Sequence, residues 1–218
     1  MWAMDAIARA RGEMQVPGPG PYLATHSVGC LPLPARAALE REFLAPWAEQ
    51  GGDAWGHWLA AIDAYRAALA ALLGGDAQDY CPQANLSGAL SRLLGSLPRP
   101  AAHRRVWLAH EDSFPSLGYV IGRAGLLGHA LKLLPRERSP ADPATWAEAL
   151  GDEVQGVLLT HVHSNTGAVA PVAEVAALCA RRGIHSVVDV AQSAGILPLD
   201  VAGFGADAVL GRATRPFG

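Results

Sequence analysis

An α/β fold, with a mostly parallel sheet covered by helices on both faces, is what this sequence predicts. Three observations carry it. From Cys81 onward, short apolar runs alternate with helical ones. The strand-like runs, VQGVLLTHV at 154–162 and IHSVVDVA at 184–191 among them, are apolar nearly throughout, which is the habit of strands buried on both faces. Polar residues then gather where such runs end, at 110–112, 160–165 and 189–193. Ligands of open parallel sheets sit at the carboxyl ends of the strands.

The elements follow in order. Residues 1–33 read as an N-terminal arm, because VPGPGP at 16–21 is extended and excludes helix interior. The glycine of HSVG, 26–29, permits a tight turn. Residues 34–80 read as a helical segment. PARAALEREFLAPWAEQ makes one helix with Pro34 in its first turn. GG at 51–52 separates it from a second helix, from about Trp55 to Leu73, and GGD at 74–76 closes the unit. Residues 81–218 carry the alternating pattern. NLSGALSRLLGSL at 85–97 is a helix after a polar turn, and RRVWLAHE at 104–111 is a strand. SLGYVIGRAGLLGHA at 116–130 is a helix or mobile segment loosened by glycines, and LKLLP at 131–135 is a short strand. DPATWAEAL at 142–150 is a helix capped by Asp142 ahead of Pro143. PVAEVAALCARRG at 171–183 is a helix ended by Gly183, and ADAVLG at 206–211 is the last strand.

Composition narrows the function. Half of the residues are hydrophobic, enough for a sizeable core, and the net charge of −3 offers no basic tract for a phosphate backbone. Nucleic acid is therefore not an expected partner. Cys30, Cys81 and Cys179 are widely spaced and form no disulfide framework or metal pair, which suits a reducing cytoplasm. No apolar run is long enough to span a bilayer, so no membrane association is expected. His161 and His163 lack a third ligand at useful spacing, and no metal is expected. No GxxxxGK run occurs, and the GxG of VPGPG lacks the strand and helix of a dinucleotide motif.

Asp189 is the most telling candidate. A carboxylate at the end of a buried strand is costly unless paired. Phe114, pinned by Pro115, can lie on the face of a planar ring. Asn165 and Thr166 are short polar groups ahead of a permissive glycine.

These segments together resemble the class V aminotransferase family of pyridoxal phosphate (PLP) enzymes. DVAQSAG at 189–195 is similar to the segment whose aspartate holds the pyridine nitrogen, and Gln192 falls where the cofactor's phenolic oxygen is bonded. HEDSFPSLGY resembles the NFPTD segment of kynureninases, with Phe114 at the ring-stacking position and Leu117 where the family has aspartate. THVHSNTG at 160–167 is similar both to the THVxxxTG loop of kynureninases and to the HVSNETG loop of cysteine desulfurases, and implies a cofactor contact at Thr166. CPQANLSGAL, 81–90, falls where the family binds the cofactor phosphate, with Gln83 and Ala84 at the donor positions but without the usual serine and threonine. YLATHSVGCLP at 22–32 resembles the opening YLDGNSLGxxP of kynureninases and implies that His26 and Ser27 approach the substrate carboxylate. WAEQGGDAWGHW at 47–58 is like their tryptophan-bearing substrate region.

The resemblance runs from Tyr22 to Gly211 and is nearest to the kynureninase-like subgroup. It implies a PLP-transferase large domain over 81–218 that lacks its C-terminal small domain, an amino-acid substrate, PLP as cofactor and, in an intact relative, a homodimer. The Schiff-base lysine of the family matches Arg215, and Lys132 is the only lysine of the chain. Arginine cannot form that linkage, so the expectation is a kynureninase-like fragment, inactive alone, whose intact relative hydrolyses a C–C bond of kynurenine-type amino acids. The alternatives are a cysteine desulfurase-like or lyase-like member, which Gln192 and SNTG favour, and a non-catalytic binding protein that keeps the fold. No cysteine lies in a recognisable persulfide loop.

Overall fold

Proline and glycine punctuate the first part of the molecule, and its elements follow from where they fall. The computed structural model describes residues 2–212. The chain divides into one unit ending at Pro82 and a second over Gln83–Arg212. In the first, the stretch read as an arm begins with a helix, α1 (Trp2–Gly12). Its alanines and arginines are strong helix formers, a signal overshadowed in the sequence by the prolines that follow. Strands β1 (Met14–Gln15) and β2 (Leu31–Pro32) then pair antiparallel, with VPGPGP in the connection between them.

The run read as one helix is interrupted. Helix α2 (Leu33–Leu39) carries Pro34 in its first turn, and α3 (Ala45–Gln50) carries Pro46 in its own. Pro46 has no N–H to donate, and its ring presses on the carbonyl four residues back. The path absorbs this by widening into a π-turn over Glu40–Leu44, where the Ala45 amide reaches back to the Glu40 carbonyl. Gly51 (φ 56°) makes the corner before α4 (Trp55–Leu73). Arg66 Nε donates to the Ala77 carbonyl, and Tyr80 Oη donates to that of Gly74, folding the following turn back onto α4.

The second unit is a five-stranded sheet between two helical layers. In chain order it comprises α5 (Leu86–Ser96), β3 (Val106–His110), α6 (Pro115–Arg123), β4 (Ala130–Leu134), α7 (Pro143–Ala147), β5 (Val154–Thr160), α8 (Val172–Arg181), β6 (His185–Asp189) and β7 (Ala208–Leu210). The strands lie in the order β4-β3-β5-β6-β7, and every neighbouring pair is parallel. On one face Leu90 and Leu94 of α5 and Leu117 and Ile121 of α6 pack against Trp107, Ala109, Leu158, Val187 and Leu210. On the other, α8 lies over β5 and β6 with Val175, Ala176 and Cys179 buried.

Three local features hold the strands in place. Gly156 passes so close to Trp107 that a Cβ there would lie 2.7 Å from three ring carbons. Helix α8 ends in a Schellman motif, with the Ile184 amide donating to Cys179 and that of Gly183 (φ 60°) to Ala180. At the N-terminal edge of the sheet, Arg104 donates from Nε to the Val154 carbonyl and from Nη2 to the carbonyls of Arg182 and Gly183. One guanidinium thus joins the start of β5 to the turn entering β6. Among the described residues no helix is long and apolar enough to cross a membrane.

Candidate functional site

The strand order creates a crevice before any side chain is considered. β3 feeds α6 on one face of the sheet, whereas β5 feeds α8 on the other, so the loops after these adjacent strands part. Such a switch point, at the carboxyl ends of the strands, is where parallel sheets take their ligands.

Asp189 and Thr160 stand side by side there. They are register partners at the ends of β6 and β5. Leu158 and Val187, two residues earlier on the same strands, belong to the core under α5 and α6. The period-two alternation of strands therefore turns Thr160 and Asp189 to that same face. Both are buried, each 3% exposed. Asp189 Oδ1 accepts from the Ala191 amide at 2.9 Å, while Thr160 Oγ1 is buried without a hydrogen-bond partner. A sequestered hydroxyl of this kind calls for a polar ligand atom or a water.

Two helix starts face this edge. The chain leaving α5 passes Pro100, which lies against Gly128 just ahead of β4 at the amino edge, so the first turn of α5 is directed toward the carboxyl edge. Asn85 caps it, with Oδ1 accepting from the Gly88 amide at 2.8 Å. The amides of Leu86 and Ser87, inside the first turn, have no intrahelical acceptor and suit an anion. Gln83 and Ala84 immediately precede the cap, and the Gln83 side chain accepts from Arg92 Nη1 at 2.7 Å. Phe114 is the N-cap residue of α6, ahead of Pro115, with an exposed ring. Phe114 and Asp189 thus share one face of the sheet. Leu117, at the position where the kynureninase-like pattern has aspartate, is a core residue 1% exposed.

The segment after β5 doubles back. The His161 amide donates to the Asp189 carbonyl and the Ala170 amide to that of His161, and Val162 bridges Val169. Gly167 (φ 72°) makes the tip, and Thr166 Oγ1 accepts from the Ala168 amide. Asn165 Nδ2 donates to Asp112 Oδ1 at 3.1 Å, spanning the parted loops. After β6, residues 190–194 form a helical turn on the Val190 carbonyl that carries half-buried Gln192.

Three histidines lie beneath these loops. His110 Nδ1 accepts from the Asp112 amide, which leaves the proton on Nε2 to donate to the Arg138 carbonyl at 2.7 Å. His163 packs edge-on against His110, with ring centroids 5.5 Å apart, and neither of its nitrogens meets a partner in bonding geometry. Burial pushes His163 below the ordinary histidine range, partly offset by the nearby Asp112. Burial alone does the same to His161, whose Nδ1 lies 2.9 Å from Ser193 Oγ. Among the described residues no three His, Cys, Asp or Glu side chains group as a metal would require.

His26 and Ser27 belong to the first unit. They close a turn in which the Ser27 amide donates to the Ala24 carbonyl. Arg215 lies outside the described residues. The pairing of His161 with Ser193 and the bridge from Asp112 to Asn165 join residues 32 and 53 apart, a distance over which no sequence periodicity reports. Only the clustering of polar residues at strand ends pointed towards them.

Comparison with known proteins bears on this geometry. Residues 127–211 match the model of the class V aminotransferase family. The chain superposes with a TM-score of 0.79 and 25% identity on the cystine C–S lyase C-DES in complex with its product cysteine persulfide, over 88% of this chain and 52% of that one. The chain is a relative of the PLP-dependent class V enzymes. A C-DES mutant with glycine covalently linked to its PLP cofactor gives a TM-score of 0.77 at 25% identity, over 86% of this chain and 51% of that one. In sequence the chain is 33% identical to the kynureninase of Deinococcus radiodurans, over 96% of its own length and 51% of the relative's. It is 28% identical to that of Burkholderia mallei, over 95% and 50%. The chain therefore spans about half the length of the curated relatives it matches.

The residues at the switch point fit a pyridine ring with an anionic tail. A buried carboxylate, an adjacent hydroxyl in need of a partner, an aromatic ring and a capped helix start occupy one edge on one face. The class V fold and these groups agree on the kind of cofactor.

Proposed function

We propose that residues 81–218 form the cofactor-holding part of the large domain of a class V enzyme that cleaves the C–S bond of a sulfur-bearing amino acid. Residues 1–33 and 34–80 are its arm and helical segment, and the homodimer implied by the resemblance belongs to the same proposal. The observation that carries the cofactor reading is the buried pair of Asp189 and Thr160 at adjacent strand ends, on the face that also presents Phe114 and the α5 start. When bound, PLP supplies an electron-poor ring that takes up the electrons of a breaking substrate bond. Asp189 holds a proton on the ring nitrogen by charge. Phe114 stacks on the ring and excludes water from that side. Gln192 donates to the phenolic oxygen, Thr166 borders the ring, and the main chain at Gln83 and Ala84 with the α5 start orients the phosphate.

Two observations favour the C–S lyase reading. Both superposed structures are of C-DES, and Leu117 buries an apolar group where the kynureninase pattern has a carboxylate. Kynurenine-type C–C hydrolysis is the second reading, favoured by the 33% identity to a kynureninase. Stable reduced conjugates of PLP with cysteine and with kynurenine separate the two, since each carries its own amine and needs no protein lysine. Titration by fluorescence should show both binding, the cysteine conjugate more tightly, and Asp189→Ala losing both. A tighter kynurenine conjugate favours the second reading. Binding of neither overturns the cofactor assignment.

A further inference from the structure

The segment bearing Asp189 is held at both ends by one residue. His161 donates its amide to the Asp189 carbonyl, which extends the pairing of β5 with β6 beyond Thr160. Its side chain crosses to the turn that follows, with Nδ1 2.9 Å from Ser193 Oγ. Between those anchors lie Asp189 itself, the Ala191 amide that donates to Asp189 Oδ1, and Gln192. The carbonyl of His161 takes a third segment, through the Ala170 amide. The arrangement is dry: His161 is 8% exposed, Ser193 0%, and the Phe204 ring closes edge-on over the imidazole at 5.2 Å.

One arrangement of protons links imidazole, hydroxyl and carbonyl. Ser193 Oγ lies 3.4 Å from the Val190 carbonyl as well as 2.9 Å from His161 Nδ1. The carbonyl only accepts and the hydroxyl has one proton. The three groups form one continuous chain when Nδ1–H donates to Oγ and Oγ–H donates to Val190. This chain of imidazole, hydroxyl and carbonyl places a proton on Nδ1. Burial favours the neutral ring.

We propose that His161, acting through Ser193, is a positioning residue that sets the direction of the Asp189 carboxylate toward the ring nitrogen of the bound cofactor. The inference rests on the PLP reading of the site and assigns it a part that the sequence does not show. His161 touches neither ring nor substrate in this scheme. It fixes the turn whose Ala191 amide orients one carboxylate oxygen, leaving the direction of the other determined.

Pyridoxamine 5′-phosphate is a suitable probe because it lacks the aldehyde and tests only the ring and phosphate contacts. The protonation of its ring nitrogen is read from absorbance against pH, separately from affinity. In the unaltered chain Asp189 should raise that ring pKa over its value in solution. Ser193→Ala, which removes one hydroxyl, should lower it by about half a unit to one unit and weaken binding about fivefold. His161→Ala should do the same, and the double variant no more, because the two side chains act as one device. His161→Asn can donate an N–H toward Ser193 and should recover most of the ring pKa. Exchange of the Ala191 amide, measured without ligand, should speed up in Ser193→Ala. If the unaltered chain binds the probe and the ring pKa is the same in Ser193→Ala and His161→Asn, the positioning role is overturned and the PLP reading stands. If the unaltered chain does not bind the probe, both are overturned.

Discussion

The two sides of one sheet edge are built on different principles. On the β5–β6 side, polar groups are buried: Thr160, His161, Asp189 and Ser193 are all at most 8% exposed. On the β3–β4 side, two ion pairs are out in water. Beyond the end of β4, Arg136 Nε lies 3.7 Å from Glu111 Oε2, and on β4 itself Lys132 Nζ is 3.2 Å from Glu153 Oε1, with exposed side chains in both pairs. Desolvated groups can discriminate a ligand because each unmet partner carries a penalty. Exposed ion pairs are screened and add little. Chemistry is therefore expected on one side of the edge and solubility on the other.

The sharpest test of that contrast removes the buried carboxylate. Asp189→Ala should weaken binding of pyridoxamine 5′-phosphate by roughly a hundredfold, the worth of a charged hydrogen bond in a dry site, as measured by fluorescence titration. An effect below about threefold would erase the distinction between the two sides.

A second test probes the floor beneath the site. Gly156→Ala sets a methyl group against the rigid Trp107 indole and should cost about 1–3 kcal/mol in urea unfolding. Pairing it with Trp107→Leu should recover part of the loss, because the new side chain can move aside.

Acid should act on the buried side. Burial depresses the folded-state pKa of His161 and of His163 below the ordinary 6.5. The unfolded chain takes up protons that the folded chain refuses, so this contribution is present above about pH 6.5 and is lost as the pH falls below it. The urea midpoint should drop between pH 7.5 and 5.5, and His163→Asn should flatten the slope. Burial also pushes the Cys179 thiol up to about 11, so this thiol should resist alkylation at pH 8 until the chain unfolds.

The smallest effect belongs to the exposed side. Lys132→Met should shift stability by no more than about 0.5 kcal/mol. Borohydride reduction in the presence of PLP should yield no adduct at Lys132 that depends on Asp189. A stoichiometric, Asp189-dependent adduct there would put the chemistry on the wrong side of the edge.

Much of the fold was legible because burial on both faces writes itself as unbroken apolar runs. VQGVLLTHV and IHSVVDVA became β5 and β6, and Asp142 and Gly183 acted at helix ends as their chemistry suggests. The convergence of polar residues at strand ends pointed to the same edge at which the strand order opens a crevice. Two local features were hidden by competing signals. The prolines at 17, 19 and 21 mask the helix that precedes them, and Pro46 reads equally as a helix start or a helix break until a π-turn reconciles the two. Sheet order and the contacts of Asn165 with Asp112 and of His161 with Ser193 are tertiary facts. They depend on which strands become neighbours, and that is decided by packing rather than by local pattern.

The Arg104 staple lies at the far end of the sheet from all of this, yet it bears on the chemistry as a datum does on a measured drawing. It ties the first residue of β5 to the turn that begins β6, and from that origin the two strands count upward in step to Thr160 and Asp189. A slip of one residue in β6 would turn every one of its side chains to the opposite face. The carboxylate would then point toward α8, and Val188 or Val190 would stand in its place. The address of a single charge at the top of the sheet is thus written at the bottom.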